Sequence, residues 1–264
     1  MAEGTCFVTF TVNLQGMSVD RALHGDNPAK HFGGKAHGRY MASIGAERMY
    51  GFFRSEGLKT TTFVPGWEAE QHPELVRAIA AEGHEIAAHG YAHEDYTNAA
   101  GEADLLAKTH GILTDLTGAA PRGWRAPTGL LEHETLAALA GLGYAYDASN
   151  QDDDFPYRLE ADGAPGMIEL PQTEILIDAE LYSRRATHSK LRKWWREEFM
   201  AAYEERIYVQ FTLTPRADFG SARASRLAVL KDFLDEIRAL PDVRIVTCAE
   251  ALGCIEDGTL FCRA

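Results

Sequence analysis

Short apolar runs alternate with longer stretches whose apolar positions recur at helical spacing, and this alternation continues through most of the chain. The first run, Cys6-Phe7-Val8-Thr9-Phe10-Thr11-Val12, is apolar and β-branched on both alternating faces, which predicts a strand buried on both sides. Residues 13–44 carry Gly16, Gly25, Pro28, the Gly33-Gly34 pair and Gly38 with no strong period, and are expected to form a long connection. A helix over 46–56 is stopped by Gly57, and a strand over 60–64 is closed by Pro65-Gly66. Pro73 opens a helix over 73–82 that Gly83 ends, and a strand over 84–88 runs into a turn at His89-Gly90. Further helices are expected over 102–116, 132–142, 191–205 and 222–240, with a last one beginning at 249–252. Strands are expected over 123–126, 144–147, 167–170, 207–213 and 243–248. The polar stretch 150–166, rich in Asp, Gly and Pro, reads as loop. Strands that are continuous apolar runs separated by helices predict a parallel sheet covered on both faces. About seven such β/α units suit a barrel more than an open sheet. No composition break divides the chain, so residues 1–264 are expected to form a single domain.

Charge narrows the partners. Lys+Arg 26 against Asp+Glu 39 gives a net charge of −13, which repels phosphate backbones and anionic membrane surfaces. No apolar run is long enough to span a bilayer, and strand-like sequence begins at Thr5 without a basic or long apolar leader. The expectation is therefore a soluble cytoplasmic protein acting on a small molecule, with no nucleic-acid or membrane partner. Cys6, Cys248, Cys254 and Cys262 contain no C-x-x-C pair, and a chain of this size needs no disulfide staples, so idle thiols are expected.

The densest chemistry lies in Gly83-His84-Glu85-Ile86-Ala87-Ala88-His89-Gly90-Tyr91-Ala92-His93-Glu94. His89 and His93, four residues apart, fall on one side of a helical turn and can grip one metal ion, or can be two surface histidines on a turn. Strand ends opening onto loops are where α/β folds hold their reactive groups.

The ordered blocks Thr9-Phe10-Thr11-Val12-Asn13, Gly38-Arg39-Tyr40, Thr62-Phe63-Val64-Pro65-Gly66-Trp67, the histidine stretch, Trp124-Arg125-Ala126-Pro127, Tyr146-Asp147-Ala148-Ser149, Ile168-Glu169-Leu170-Pro171 and Leu213-Thr214-Pro215 together resemble the polysaccharide deacetylase superfamily, carbohydrate esterase family 4. Within it the chain is most similar to the branch of peptidoglycan-deacetylase-like proteins, cyclic imidases and cofactor-free allantoinases. The resemblance implies a deformed (β/α) barrel, a homo-oligomer (dimer or tetramer), and hydrolysis at nitrogen by a metal-bound water. In the family one Asp is the base, a second Asp joins two histidines on the metal, and a late His protonates the leaving group. Carried over, His89 and His93 are intact, but Thr11 stands at the base position, Asn13 at the metal-Asp position and Thr214 at the late-His position. A divalent metal (zinc or similar) on Asn13, His89 and His93 is one expectation and metal-free operation another, with an imidazole as acid or base.

Several side chains keep two readings. Arg125 either fixes an anionic substrate group or pairs with a loop carboxylate such as Asp147. Asp147 is a catalytic group or a cap, and Glu169 a buried acid of raised pKa or an outward strand residue. Trp67, Tyr91 and Trp124 line a substrate pocket or belong to the core. Asp152-Asp153-Asp154 reads as a solvated loop. The 13–44 connection, with His24, His31, His37 and Arg39, is a candidate to lean over the site and supply a proton donor. The functions that remain are a hydrolase of a non-peptide carbon–nitrogen bond in a small amide, imide or ureide, a lyase, cyclase or isomerase on the same barrel, and a non-catalytic binding protein.

Overall fold

The computed structural model describes residues 4–25, 36–97 and 101–263. The chain begins with β1 (Cys6–Asn13), α1 (Met17–His24), α2 (Ala46–Glu56), β2 (Thr61–Val64), α3 (Gly66–Gln71), α4 (Pro73–Ala81) and β3 (Glu85–Ala88). It continues with α5 (Glu102–Thr117), β4 (Gly123–Trp124), α6 (His133–Gly141), β5 (Tyr146–Asp147), β6 (Tyr157–Arg158) and β7 (Ile168–Glu169). The last part holds α7 (Asp178–Ser183), α8 (His188–Glu205), β8 (Val209–Leu213), α9 (Ala224–Arg238), β9 (Val243–Val246) and α10 (Cys248–Glu256). Among the described residues the strands form one nine-stranded sheet in the order β6-β7-β5-β4-β3-β2-β1-β8, with β9 also paired to β1. All pairings are parallel except β6 with β7.

β1 explains the architecture. Its alternate residues Cys6, Val8, Phe10 and Val12 join the main apolar core beneath the helices, where Phe10 stacks on Phe211 at 5.1 Å. Phe7 belongs instead to a second cluster with Phe63, Ala87, Tyr146, Ile168 and Tyr208. On that same face follow Thr9, Thr11 and Asn13, so the interior of the curled sheet grades from apolar at the strand starts to polar at the strand ends. α10 covers the apolar end. Its first backbone N–H groups find partners at the start of neighbouring strands: Cys248 N donates to Thr61 Oγ1 (2.8 Å) and Ala249 N to Glu85 Oε2 (2.9 Å). Glu85 also accepts from Thr61 and from the Tyr146 hydroxyl, so this half-buried carboxylate at a helix N-terminus is fully partnered.

Among the described residues no ladder joins β7 to β8, and the barrel is left deformed and open at that seam. Gln210 closes it with a side chain, donating from Nε2 to the carbonyls of Leu170 (3.1 Å) and Pro171 (3.3 Å). The predicted elements appear in order and type, but α3 and α7 were not expected from the sequence, and two further stretches depart from it. The connection expected over 13–44 contains α1, whose first turn has no local cap. Its N–H groups are satisfied from a distance, Gly16 N and Ser18 N donating to Glu68 Oε1 at 3.0 and 2.7 Å. The stretch 150–166, expected to be loop throughout, contains the two-residue β6, which pairs with β7 at the sheet edge.

Candidate active site

The ends of β1, β3, β4 and β5 bring the site together. His89 follows β3 directly and is fully buried, its backbone N–H held by the Val64 carbonyl (3.1 Å). Its Nδ1 lies 2.9 Å from the Arg125 carbonyl, an acceptor only, so Nδ1 carries the proton and Nε2 an open lone pair. Burial pushes the His89 imidazolium down to about 3, too low for it to act as an acid near neutrality.

The next residues form no helical turn, contrary to the sequence expectation. Gly90 has φ +63°, and a Cβ there would lie 2.7 Å from Pro127 Cγ. Glu94 then folds back to accept from the backbone N–H groups of Tyr91 (3.1 Å) and Ala92 (2.7 Å). His93 sits in the left-handed region at φ 70°, a conformation that turns its ring toward His89. Both rings meet one group that the sequence reading missed, the carboxamide of Gln15. Gln15 Nε2 is 2.9 Å from His89 Nε2 and 3.5 Å from His93 Nδ1.

Arg125 lies beneath. Its guanidinium, 1% exposed, stacks 3.9 Å over the Phe63 ring. Nε donates to the Ala148 carbonyl (2.8 Å), and Nη1 is shared among Asn13 Oδ1 (2.8 Å), Thr11 Oγ1 (3.0 Å) and Thr212 Oγ1 (3.4 Å). Burial lowers its pKa to about 10, so the charge persists at neutral pH. The guanidinium is thus held mainly as an internal strut and makes no ion pair with Asp147, although Arg125 is among the residues lining the cleft above and its Nη2 has no hydrogen-bond partner among the described residues. Its charge is balanced at a distance by two carboxyls. Asp147 and Glu169, facing each other across β5 and β7, are both fully buried, and burial raises both pKa values. For Glu169 the neighbouring Asp147 carboxylate adds to the rise that burial causes. Ser149 Oγ donates to Asp147 Oδ1 (2.6 Å) and the Asn150 N–H to Glu169 Oε1 (3.0 Å).

Above these groups opens a cleft of about 340 Å³. Asn13, Gln15, His93, Ser149, Gln172 and Phe219 are among its lining residues. Gln172 is fixed by accepting from Thr212 Oγ1 (3.1 Å) and donating to the Ser149 carbonyl (3.3 Å). Other expected contacts lie elsewhere. Trp124 is wholly buried, edge-on to Tyr96 at 5.2 Å, and is core. Trp67 packs under the Arg21 guanidinium at 5.6 Å, and Tyr91 turns outward to bond Glu70 (2.6 Å) beneath Lys108. Arg39 is exposed and does not line the cleft. Thr11, Glu169 and Thr214 are buried below the cleft floor, Thr214 with its N–H on Asp178 Oδ2 at 2.9 Å. His37 bonds Asp218 at the surface, His24 is exposed, and His31 lies outside the described residues. Asp153 is tied to Arg263 (2.8 Å) and Asp152 to Tyr157 (2.7 Å) in a surface loop.

The donors do not fit a resident divalent cation. Among the described residues no three His, Cys, Asp or Glu side chains come together. Asn13 Oδ1 already accepts from a guanidinium, and both convergent imidazole lone pairs face an amide N–H₂. Two neutral rings and a neutral amide beside a fixed positive charge make a poor donor set for such an ion.

Comparison with known proteins gives a consistent placement. A profile described as polysaccharide deacetylase matches residues 41–146. A peptidoglycan deacetylase of Helicobacter pylori is 28% identical over 249 residues, spanning 81% of this chain and 85% of its own. The crystal structure of a Mycobacterium smegmatis protein assigned to the polysaccharide deacetylases superposes with a TM-score of 0.89 at 30% identity, covering 100% of this chain and 95% of that one. An allantoinase crystal structure shares the fold, with a TM-score of 0.80 at 23% identity over 92% of this chain and 88% of its own. A fold matched over its whole length at 30% identity, with the family profile running through the histidine strand, leaves one conclusion: the chain belongs to the polysaccharide deacetylase family.

Proposed function

We propose that the protein hydrolyses a non-peptide carbon–nitrogen bond in a small neutral amide, cyclic imide or ureide. The observation that carries this is the polarity left at the cleft floor. Asn13 Oδ1 is taken up by Arg125, which leaves the Asn13 amide N–H₂ as a donor without a protein partner among the described residues. Gln15 gives its N–H₂ to the histidines, which leaves Oε1 as an acceptor. A donor beside an acceptor is complementary to the –C(=O)–NH– edge of an amide or imide, and neither attracts an ion. A cleft of about 340 Å³ is the size for a small molecule.

In the chemistry this supports, the substrate carbonyl oxygen accepts from Asn13 Nδ2, whose N–H is polarised by the guanidinium on its own oxygen. His93 is half-buried, lines the cleft and is lowered below its ordinary 6.5, first by burial, so it is neutral and competent as a base at pH 7. Its Nδ1, whose long 3.5 Å contact with the Gln15 N–H₂ must open as substrate binds, takes one proton from a water whose oxygen bonds to the carbonyl carbon. It returns that proton to the leaving nitrogen as the carbon–nitrogen bond breaks and the carbonyl re-forms. His89 transfers no proton and serves to orient Gln15. The test is product analysis with purified protein on cyclic imides, hydantoins, acyclic amides and N-acetylated chitooligosaccharides. Ring-opened or deamidated small products are expected. Turnover confined to the oligosaccharides, or no turnover of any, would overturn the proposal.

A further inference from the structure

We propose that the Gln15 carboxamide stands where this family's metal ion would stand, bridging His89 and His93 through its two N–H groups. One amide nitrogen carries two hydrogens, and two imidazole nitrogens approach that same atom at 2.9 and 3.5 Å. His89 Nε2 is necessarily the acceptor, because Nδ1 is committed to the Arg125 carbonyl. The amide therefore presents its nitrogen there, and the same nitrogen meets His93 Nδ1.

The arrangement is built into the loop. Gln15 is 7% exposed, and its N–H bonds the Asn13 carbonyl at 2.7 Å while Leu14 N bonds the Phe63 carbonyl at 2.9 Å. Directly after it, Gly16 N and Ser18 N are held by Glu68, and the Gly16 carbonyl accepts from Arg216 Nη1 at 2.5 Å. Arg216 is in turn paired with Asp20 at 2.8 Å. Each neighbour of Gln15 is thus anchored, so the carboxamide is fixed on both sides. Two rings held by one N–H₂ must each offer a lone pair, which specifies opposite tautomers: Nδ1–H for His89 and Nε2–H for His93. The same N–H₂ occupies the lone pairs that a cation needs, and the two modes exclude each other. This placement does not depend on what the cleft hydrolyses.

The experiment is zinc titration of the purified full-length protein followed by calorimetry and elemental analysis, beside nitrogen-15 spectra of the histidine rings. The wild type is expected to take up no stoichiometric zinc and to show the two opposite tautomers. Gln15→Glu replaces the donor N–H₂ with a carboxylate and completes a two-histidine, one-carboxylate set. It is expected to bind one equivalent of zinc, about 100-fold or more tighter than the wild type, and to lose it again when combined with His89→Ala. One equivalent bound by the wild type, or the same tautomer on both rings, would overturn the proposal. So would a folded Gln15→Glu variant with no gain in zinc affinity. If that variant does not fold, the wild-type tautomers alone decide, without any measurement of turnover.

Discussion

Asn13 shapes the site by way of its neighbour. Where a carboxylate would neutralise Arg125, an amide accepts the guanidinium on one side and keeps a donor on the other. Asn13→Ala is expected to lower kcat by about 10²–10³, the cost of one oxyanion donor, with the circular dichroism spectrum unchanged. A loss smaller than tenfold would place carbonyl stabilisation elsewhere. His93 sets the pH profile. As a base with a pKa lowered below 6.5, it is active when neutral, so the rate should rise with pH, through a midpoint below 6.5, to a plateau. An acid limb centred above 6.5, or one that survives in His93→Gln, would mean another group takes the proton.

At the scale of the element, α1 depends on a carboxylate 50 residues further along the chain. Glu68, fully buried, is the only cap found for its first turn among the described residues. Glu68→Ala should leave two buried N–H groups unpaired and cost about 1–3 kcal/mol each at most, read as a lowered midpoint in urea. It should also loosen Gln15, which precedes that turn, so the His89 and His93 tautomer signals should broaden in the same variant. Gly16 is constrained beside it: a Cβ would come within 2.5 Å of Met41 Cε and 2.9 Å of the Glu68 oxygens. Gly16→Ala should therefore destabilise by roughly 1–3 kcal/mol through overpacking.

The whole molecule carries buried acids whose ionisation is coupled to folding. Asp178, at the start of α7, is raised by burial from 3.8 to about 7. The folded state therefore holds a proton that the unfolded chain gives up. The stability this contributes is complete below pH 3.8 and is lost as pH rises toward 7, with a slope of at most about 1.4 kcal/mol per pH unit. Glu169 acts with the same sign, since it too is raised. The contribution of these carboxyls, read as the difference in unfolding free energy between the wild type and Asp178→Asn or Glu169→Gln, should fall with rising pH between pH 4 and 8. A slope unchanged in both variants would mean that neither carboxyl is protonated in the fold.

The sequence by itself determined the parallel α/β architecture, because strand and helix periodicity are local and β1 is apolar on both faces. It also determined that His89 follows a strand, and its resemblance to the family carried the expectation that Thr11, Asn13 and Thr214 stand at the positions of the family's acids and late histidine. It placed Asp147 and Glu169 at strand ends but left open which way they face, which the register of β5 against β7 decided. Tertiary structure alone decided the rest. Gln15, in a stretch without periodicity, meets histidines 74 and 78 residues away. Trp124 became core because it faces the helix layer, and Arg125 became a strut because it turns to the other face of the sheet and stacks on Phe63. Aromatic and cationic residues read the same in a sequence whether they face a ligand or a neighbouring strand. Only the packing around them separates the two, and here that packing also decided that an amide rather than a carboxylate lies between the histidines.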